Sequence, residues 1–221
     1  MRKLLSITAL IIIASQPVAA IFELGTDGNY FSQTTTLKDN SVSPSRTYTF
    51  NFSGSLFDIY GHLTFGVPNV VTFGIGPQVA FSSQSASNHP TNWQKDELSY
   101  FRFGLDTKLQ MEMIPGISPF VRFSLGKDSI GFTESSTVNG STGELKYTFG
   151  GMYYNALVGL QIPLAPVFAF YLQAGITGSP NSNMTIESFT VNGTNVAVAQ
   201  TGTVDASYTG FIIGGGARLS F

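Results

Sequence analysis

The sequence predicts an all-β fold: an eight-stranded antiparallel transmembrane β-barrel, apolar outside, with a polar glycine-rich lumen. Three observations carry this. Apolar and polar residues alternate with period two along most of the chain, so one face of each extended segment is greasy and the other is not. The connections between these segments alternate between short and long. Only 11% of the 221 residues are charged, against about 25% in ordinary soluble domains.

The first twenty residues stand apart. Met1, Arg2 and Lys3 form a basic head, Leu4 to Ala14 an apolar core, and Pro17 to Ala20 a run ending in small residues. This is the pattern of a secretory signal peptide spanning residues 1–20, with cleavage expected after Ala20. Residues 21–221 then form the barrel. Beyond the leader no apolar run approaches the roughly 18 residues of a membrane-crossing helix, so any span must be made by strands.

In the first strand Phe22, Leu24 and Tyr30 oppose Glu23, Asp27 and Asn29. The second sets Phe57, Ile59, Leu63 and Phe65 against Asp58, Tyr60, His62 and Thr64. Upstream, Tyr48, Phe50 and Phe52 fall in the opposite phase. Either a β-bulge near Ser55 to Phe57 shifts the register, or this part of the strand rises above the membrane. The third strand carries Val71, Phe73, Ile75, Val79 and Phe81 on one face. The fourth has the plainest pattern: Phe101, Phe103, Leu105, Leu109 and Met111 against Arg102, Asp106, Lys108, Gln110 and Glu112. Its length suits a tilted strand of roughly 9–11 residues crossing hydrocarbon.

Val121, Phe123 and Leu125 oppose Arg122, Ser124 and Gly126 in the fifth strand. The sixth and seventh run through Tyr154, Val158 and Leu160, and through Phe168, Phe170 and Leu172. The eighth ends the chain with Phe211, Ile213, Leu219 and Phe221 against Gly214, Gly216 and Arg218. Short turns fall near Pro68, Pro115 and Pro163, the last two flanked by similar Ile-Pro motifs. Four long polar connections, 32–46, 82–97, 127–148 and 178–206, are expected as extracellular loops. Short turns at one rim and long loops at the other are the plan of an outer-membrane barrel. Val138-Asn139-Gly140-Ser141 and Val191-Asn192-Gly193-Thr194 read as hairpin turns within the last two.

A soluble barrel or sandwich would also alternate. Here, however, the charged face is also the glycine-rich one, as a narrow lumen requires. Aromatic residues sit toward strand ends, as interfacial girdles do. The signal peptide, the eight alternating strands and the terminal Ala217-Arg218-Leu219-Ser220-Phe221 resemble the small outer-membrane β-barrels of Gram-negative bacteria, the superfamily of the OmpA transmembrane domain, OmpX, OmpW and the opacity proteins. The resemblance covers the whole mature chain. It implies residence in the outer membrane after export, contact with the bilayer and lipopolysaccharide, and a role for Phe221 in the signal read by the assembly machinery. The periplasmic domain of the OmpA plan, with its tethering role, is not expected here.

Phase places Glu23, Asp27, Asp58, His62, Arg102, Asp106, Lys108, Glu112, Arg122 and Arg218 in the lumen. Charges in a confined space need partners, so these residues are expected to form an ion-pair and hydrogen-bond network that plugs the barrel. Glu23 and Arg218, on the first and last strands, are expected to interact, and His62 to approach Asp27. Tyr60, Tyr100, Phe120, Tyr153 and Tyr171 also project inward and would obstruct passage. The function expected is therefore structural or surface-interacting. The alternative is a narrow channel for ions or small solutes, with a lateral exit for apolar ones, in which the same charges select the permeant.

No enzyme, metal or cofactor is expected. His62 precedes Leu63 and Thr64, outside the His-x-Ser pattern of outer-membrane lipid A deacylases, and His89 sits alone beside Pro90. Zero cysteines remove thiolate chemistry. A net charge of −2 without a basic cluster argues against nucleic acid as a partner. A host or surface ligand would meet the loops, where Trp93 and Phe189 are candidate contacts.

Overall fold

The computed structural model describes residues 21–40, 44–67, 70–86, 93–112, 116–197 and 204–221. The expected signal peptide, His89, and the turn positions around Pro68 and Pro115 lie outside them. Among the described residues every regular element is a strand. These are β1 (Ile21–Asp39), β2 (Arg46–Val67), β3 (Val71–Ala86), β4 (Trp93–Met111), β5 (Ser118–Val138), β6 (Ser141–Ala165), β7 (Phe168–Val191), the short β8 (Thr194–Val196) and β9 (Val204–Ser220). Each of β1 to β6 pairs antiparallel with the next, β6 with β7, β7 with β9 and β9 with β1, which closes an eight-stranded ring. β8 lies outside the ring as the return arm of a hairpin on β7.

Closure is clean at the end where the described chain starts and stops. Phe221 N–H donates to the Phe22 carbonyl at 2.8 Å and Phe22 N–H to the Phe221 carbonyl at 3.3 Å. The Phe22 and Phe221 rings lie 6.4 Å apart at the lower rim.

Across the middle of the barrel the outward residues are apolar and exposed. On β4 these are Phe101, Phe103, Leu105, Leu109 and Met111; on β2, Phe57, Ile59, Leu63 and Phe65. This belt ends above in aromatic residues that align across strands. Phe57 pairs with Phe81 and Phe81 with Phe101, with the last two rings 5.5 Å apart. Above this row on β1 and β9 the Tyr30 and Phe211 rings lie 6.0 Å apart, with Tyr30 paired to Ser55 and Phe211 to Ser32. An exterior of exposed phenylalanine and leucine is stable only against hydrocarbon.

Above the girdle the polarity inverts while the backbone runs on. The β1–β2 register is unbroken from Ile21↔Thr64 to Asp39↔Arg46, so no bulge interrupts β2 near Ser55. Even-numbered residues of β2 are buried on both sides of that level: Asp58, Tyr60 and His62 below, Leu56 and Phe52 above. The phase change in the sequence marks the membrane boundary. Water replaces lipid outside, so hydroxyl groups face out and apolar groups turn in. Phe31, Phe52, Leu56, Leu98, Ile130, Phe132, Phe149 and Ile212 accordingly form a buried core inside the upper barrel.

The strands of the ring continue above the girdle into the long connections, and the last two of these form β-ribbons there. Most of their residues are strand rather than loop, and β5 and β6 run unbroken to a pairing of Val138 with Ser141. Asn139 and Gly140 take φ of 51° and 79°, and Asn192 and Gly193 take 49° and 78°. Both pairs are two-residue hairpin turns of the type that needs positive φ at both positions.

Candidate functional site

The interior is built in layers from side chains that cross the lumen. Nearest the lower rim, Lys108 on β4 donates to Glu23 on β1 at 2.5 Å, and Arg218 on β9 pairs with the other Glu23 oxygen. Glu112 stands half-buried at the rim below, within 3.5 Å of Thr72 and 3.4 Å of Gln110.

The middle layer centres on Arg122, 1% exposed. Its guanidinium donates to Asp27 at 2.6 Å, to Asp106 at 3.0 Å and to Gln173 at 3.1 Å, joining β1, β4, β5 and β7. The Tyr60 ring lies 4.2 Å from the same guanidinium carbon. Asp106 also accepts from Ser124 at 2.5 Å and meets His62 Nε2 at 2.8 Å. His62 thus takes Asp106 rather than Asp27, because the β1–β2 register sets His62 opposite Glu23 and Asp27 opposite Asp58; Asp27 is held by Arg122 and by Gln173 at 2.8 Å. Asp58 is held by amides, Gln78 at 2.7 Å and Asn29 at 3.2 Å.

Arg102, fully buried, forms the third layer. Four rings surround its guanidinium carbon: Phe31, Tyr100, Tyr153 and Tyr208, at 4.9, 5.0, 5.2 and 5.5 Å. Cation and quadrupole attract most where water is excluded. Arg102 donates to the Tyr208 hydroxyl at 2.9 Å, and that hydroxyl donates to Asp128 at 2.6 Å. The apolar core of the upper barrel begins on the same rings, since Phe31 and Tyr100 stack edge to face at 5.6 Å.

The expected lumen residues therefore all lie on the inner wall or at its lower rim. Sequence reasoning missed Asp128 and Tyr208, which it assigned to a loop and to the stretch before the last strand. The signal was present: Asp128 continues the even phase of Arg122 and Ser124, and Tyr208 that of Gly210. It also missed the neutral partners Asn29, Gln78, Ser124 and Gln173, because amides and hydroxyls carry no charge to pair by inspection. Of the expected loop contacts, Phe189 is half-buried, and the Trp93 side chain lies outside the described residues.

Chemically, this interior can hold charge and exclude water. Ser124 is bonded to the carboxylate that also holds His62, so imidazole does not reach the serine hydroxyl as a nucleophile's base must.

No known protein family matches the sequence, and no curated protein is similar to it. Solved structures are. The outer membrane protein OprG from Pseudomonas aeruginosa superposes with a TM-score of 0.57 at 7% identity, over 92% of this chain and 97% of that one. The outer membrane protease OmpT from Escherichia coli gives 0.55 at 8%, over 93% and 99%. At such identities the likeness speaks to fold. The chain therefore has the fold of the bacterial outer-membrane β-barrels, eight strands closed into a ring with an apolar belt on the outside.

Proposed function

We propose that this protein is a closed outer-membrane barrel whose work is done on its outer surface, with a structural or surface-interaction role, and that it carries no catalytic centre. One observation supports this above the others: the interior is filled through both the membrane and the extracellular part. Arg122, Asp106, His62 and Arg102 are each 0–1% exposed in the lower and middle lumen, and Phe31, Leu56 and Ile130 are 0–1% exposed above them. A wetted passage would leave some of these side chains accessible. The surface then available is the polar wall above the girdle and the β5–β6 hairpin. The bilayer holds the belt. The assembly machinery, recognising a last strand that ends at Phe221, and lipopolysaccharide are the further partners of this reading, which requires no cofactor.

The test is conductance of the folded, heat-modifiable barrel in planar bilayers. Silence is expected. Stable openings whose ion selectivity shifts with Lys108→Ala or Arg218→Ala would transfer the protein to the narrow-channel reading. Trimming the β5–β6 hairpin tip should leave the barrel inserted and reduce adhesion of cells displaying it to protein-coated surfaces. Unchanged adhesion would remove the surface role from that hairpin.

A further inference from the structure

Asn-Gly occurs twice in the chain, as Val138-Asn139-Gly140-Ser141 and Val191-Asn192-Gly193-Thr194. Both are exposed two-residue turns with nearly the same backbone, φ of 51° and 79° in the first and 49° and 78° in the second. Sequence and local conformation therefore give them equal chemistry. Their surroundings differ.

Asn192 is clasped by the neighbouring hairpin. Its backbone N–H donates to the Thr142 carbonyl at 2.8 Å, the Thr142 N–H donates back to Asn192 Oδ1 at 2.8 Å, and Asn192 Nδ2 lies 3.5 Å from Ser141 Oγ. Asn139 stands exposed at the tip of the β5–β6 hairpin, and among the described residues none bonds to its side chain.

An asparagine followed by glycine loses its amide without a catalyst when its side chain is free to turn. The glycine nitrogen, its proton given up to water, attacks Cγ, and the new C–N bond closes a five-membered imide. The Cγ–Nδ2 bond breaks and ammonia leaves. Water then opens the ring at either carbonyl, which yields aspartate or isoaspartate. In sum an amide and water become a carboxylate and ammonium, and no other reactant is needed. Glycine favours the attack because no Cβ shields its nitrogen. The turn must open for Cγ to reach that nitrogen. A fraying hairpin tip permits this, whereas Asn192 must first give up two hydrogen bonds.

We propose that Asn139 is a site of spontaneous deamidation and that the Thr142 clasp protects Asn192 from the same reaction. Aspartate suits the turn, since Asp-Gly adopts it as Asn-Gly does. The hairpin therefore survives with an added negative charge at its tip. This goes beyond the surface role and does not depend on it.

The folded barrel in detergent is held in mildly alkaline buffer, and conversion at each Asn-Gly is followed by mass spectrometry of its peptides, with isoaspartate scored by enzymatic methylation. Asn139 is expected to convert about tenfold faster than Asn192. In the urea-unfolded chain, where no clasp exists, the two rates should agree. Thr142→Pro deletes the N–H that holds Asn192 Oδ1. Both backbone polar groups of Thr142 face Asn192, so the change removes no hydrogen bond between β5 and β6. In this variant Asn192 is expected to approach the rate of Asn139, which itself stays at the wild-type value. Equal rates in the folded wild type overturn the proposal, as does a folded Thr142→Pro variant in which Asn192 stays protected. An Asn139 that remains intact in the folded barrel while the unfolded chain converts also overturns it. Should Thr142→Pro not fold, the wild-type ratio, folded against unfolded, decides by itself.

Discussion

Asp106 shows how little of a side chain's setting is visible in its own strand. It sits on the even face of β4, and the sequence shows no more. In the folded barrel it meets Arg122, His62 and Ser124 at once, without access to water. Removing its carboxylate takes one of the two that Arg122 holds and strips His62 and Ser124 of their acceptor, at about 1–3 kcal/mol for each buried group left unsatisfied. Asp106→Ala is therefore expected to lower the urea midpoint of the barrel sharply in lipid vesicles. Lys146→Ala breaks an ion pair whose side chains are 47% and 40% exposed, where solvent screening leaves about 0–1 kcal/mol. Its midpoint should barely move. Equal effects from the two substitutions would show that the lumen layer contributes nothing special. The inward phase of these residues was legible; their partners were not, since Arg122 reaches Asp27 across a sequence separation of 95 residues.

For the strands, close approach of neighbouring backbones is the deciding constraint. Gly76 on β3 lies where an added Cβ would strike the Gly61 carbonyl on β2. Gly76→Ala must push two paired strands apart, at a cost of about 1–3 kcal/mol for overpacking. Gly28 on β1 has nothing within 4 Å of an added Cβ, and Gly28→Ala should stay within about 0.5 kcal/mol of wild type. Refolding yield into lipid vesicles, read by the shift in gel mobility, distinguishes them. Comparable yields for both would refute the assigned contact. The sequence marks both positions as glycine and cannot rank them, because the ranking depends on how the neighbouring strand is set in register.

The whole molecule is one continuous barrel in two solvents. Its belt turns apolar groups outward and its upper part turns them inward, with the change at the Phe57, Phe81 and Phe101 row. The upper core is held by contacts such as Phe52 against Phe132, edge to face at 5.7 Å. Truncating a buried Phe to Ala costs about 3–5 kcal/mol. The double variant Phe52→Ala, Phe132→Ala is expected to speed amide hydrogen exchange in the upper strands while the belt stays protected. Uniform acceleration along every strand would mean that the two halves unfold as a single unit.

By itself the sequence determined the eight strands of the ring, their inward and outward phase, the hairpin turns at Asn139-Gly140 and Asn192-Gly193, and the apolar belt, because each is written in local periodicity or turn chemistry. It also contained the inversion above Phe57, although there the same pattern admitted a bulge or an emergent strand. Only the tertiary structure decided between them, since an unbroken β1–β2 register is a property of two strands together. It also decided that Arg122 meets both Asp27 and Asp106, that Arg102 lies among four aromatic rings, and that an apolar core caps the polar lumen. Such partners are brought together by closure of the ring, and closure joins residues that no local pattern connects.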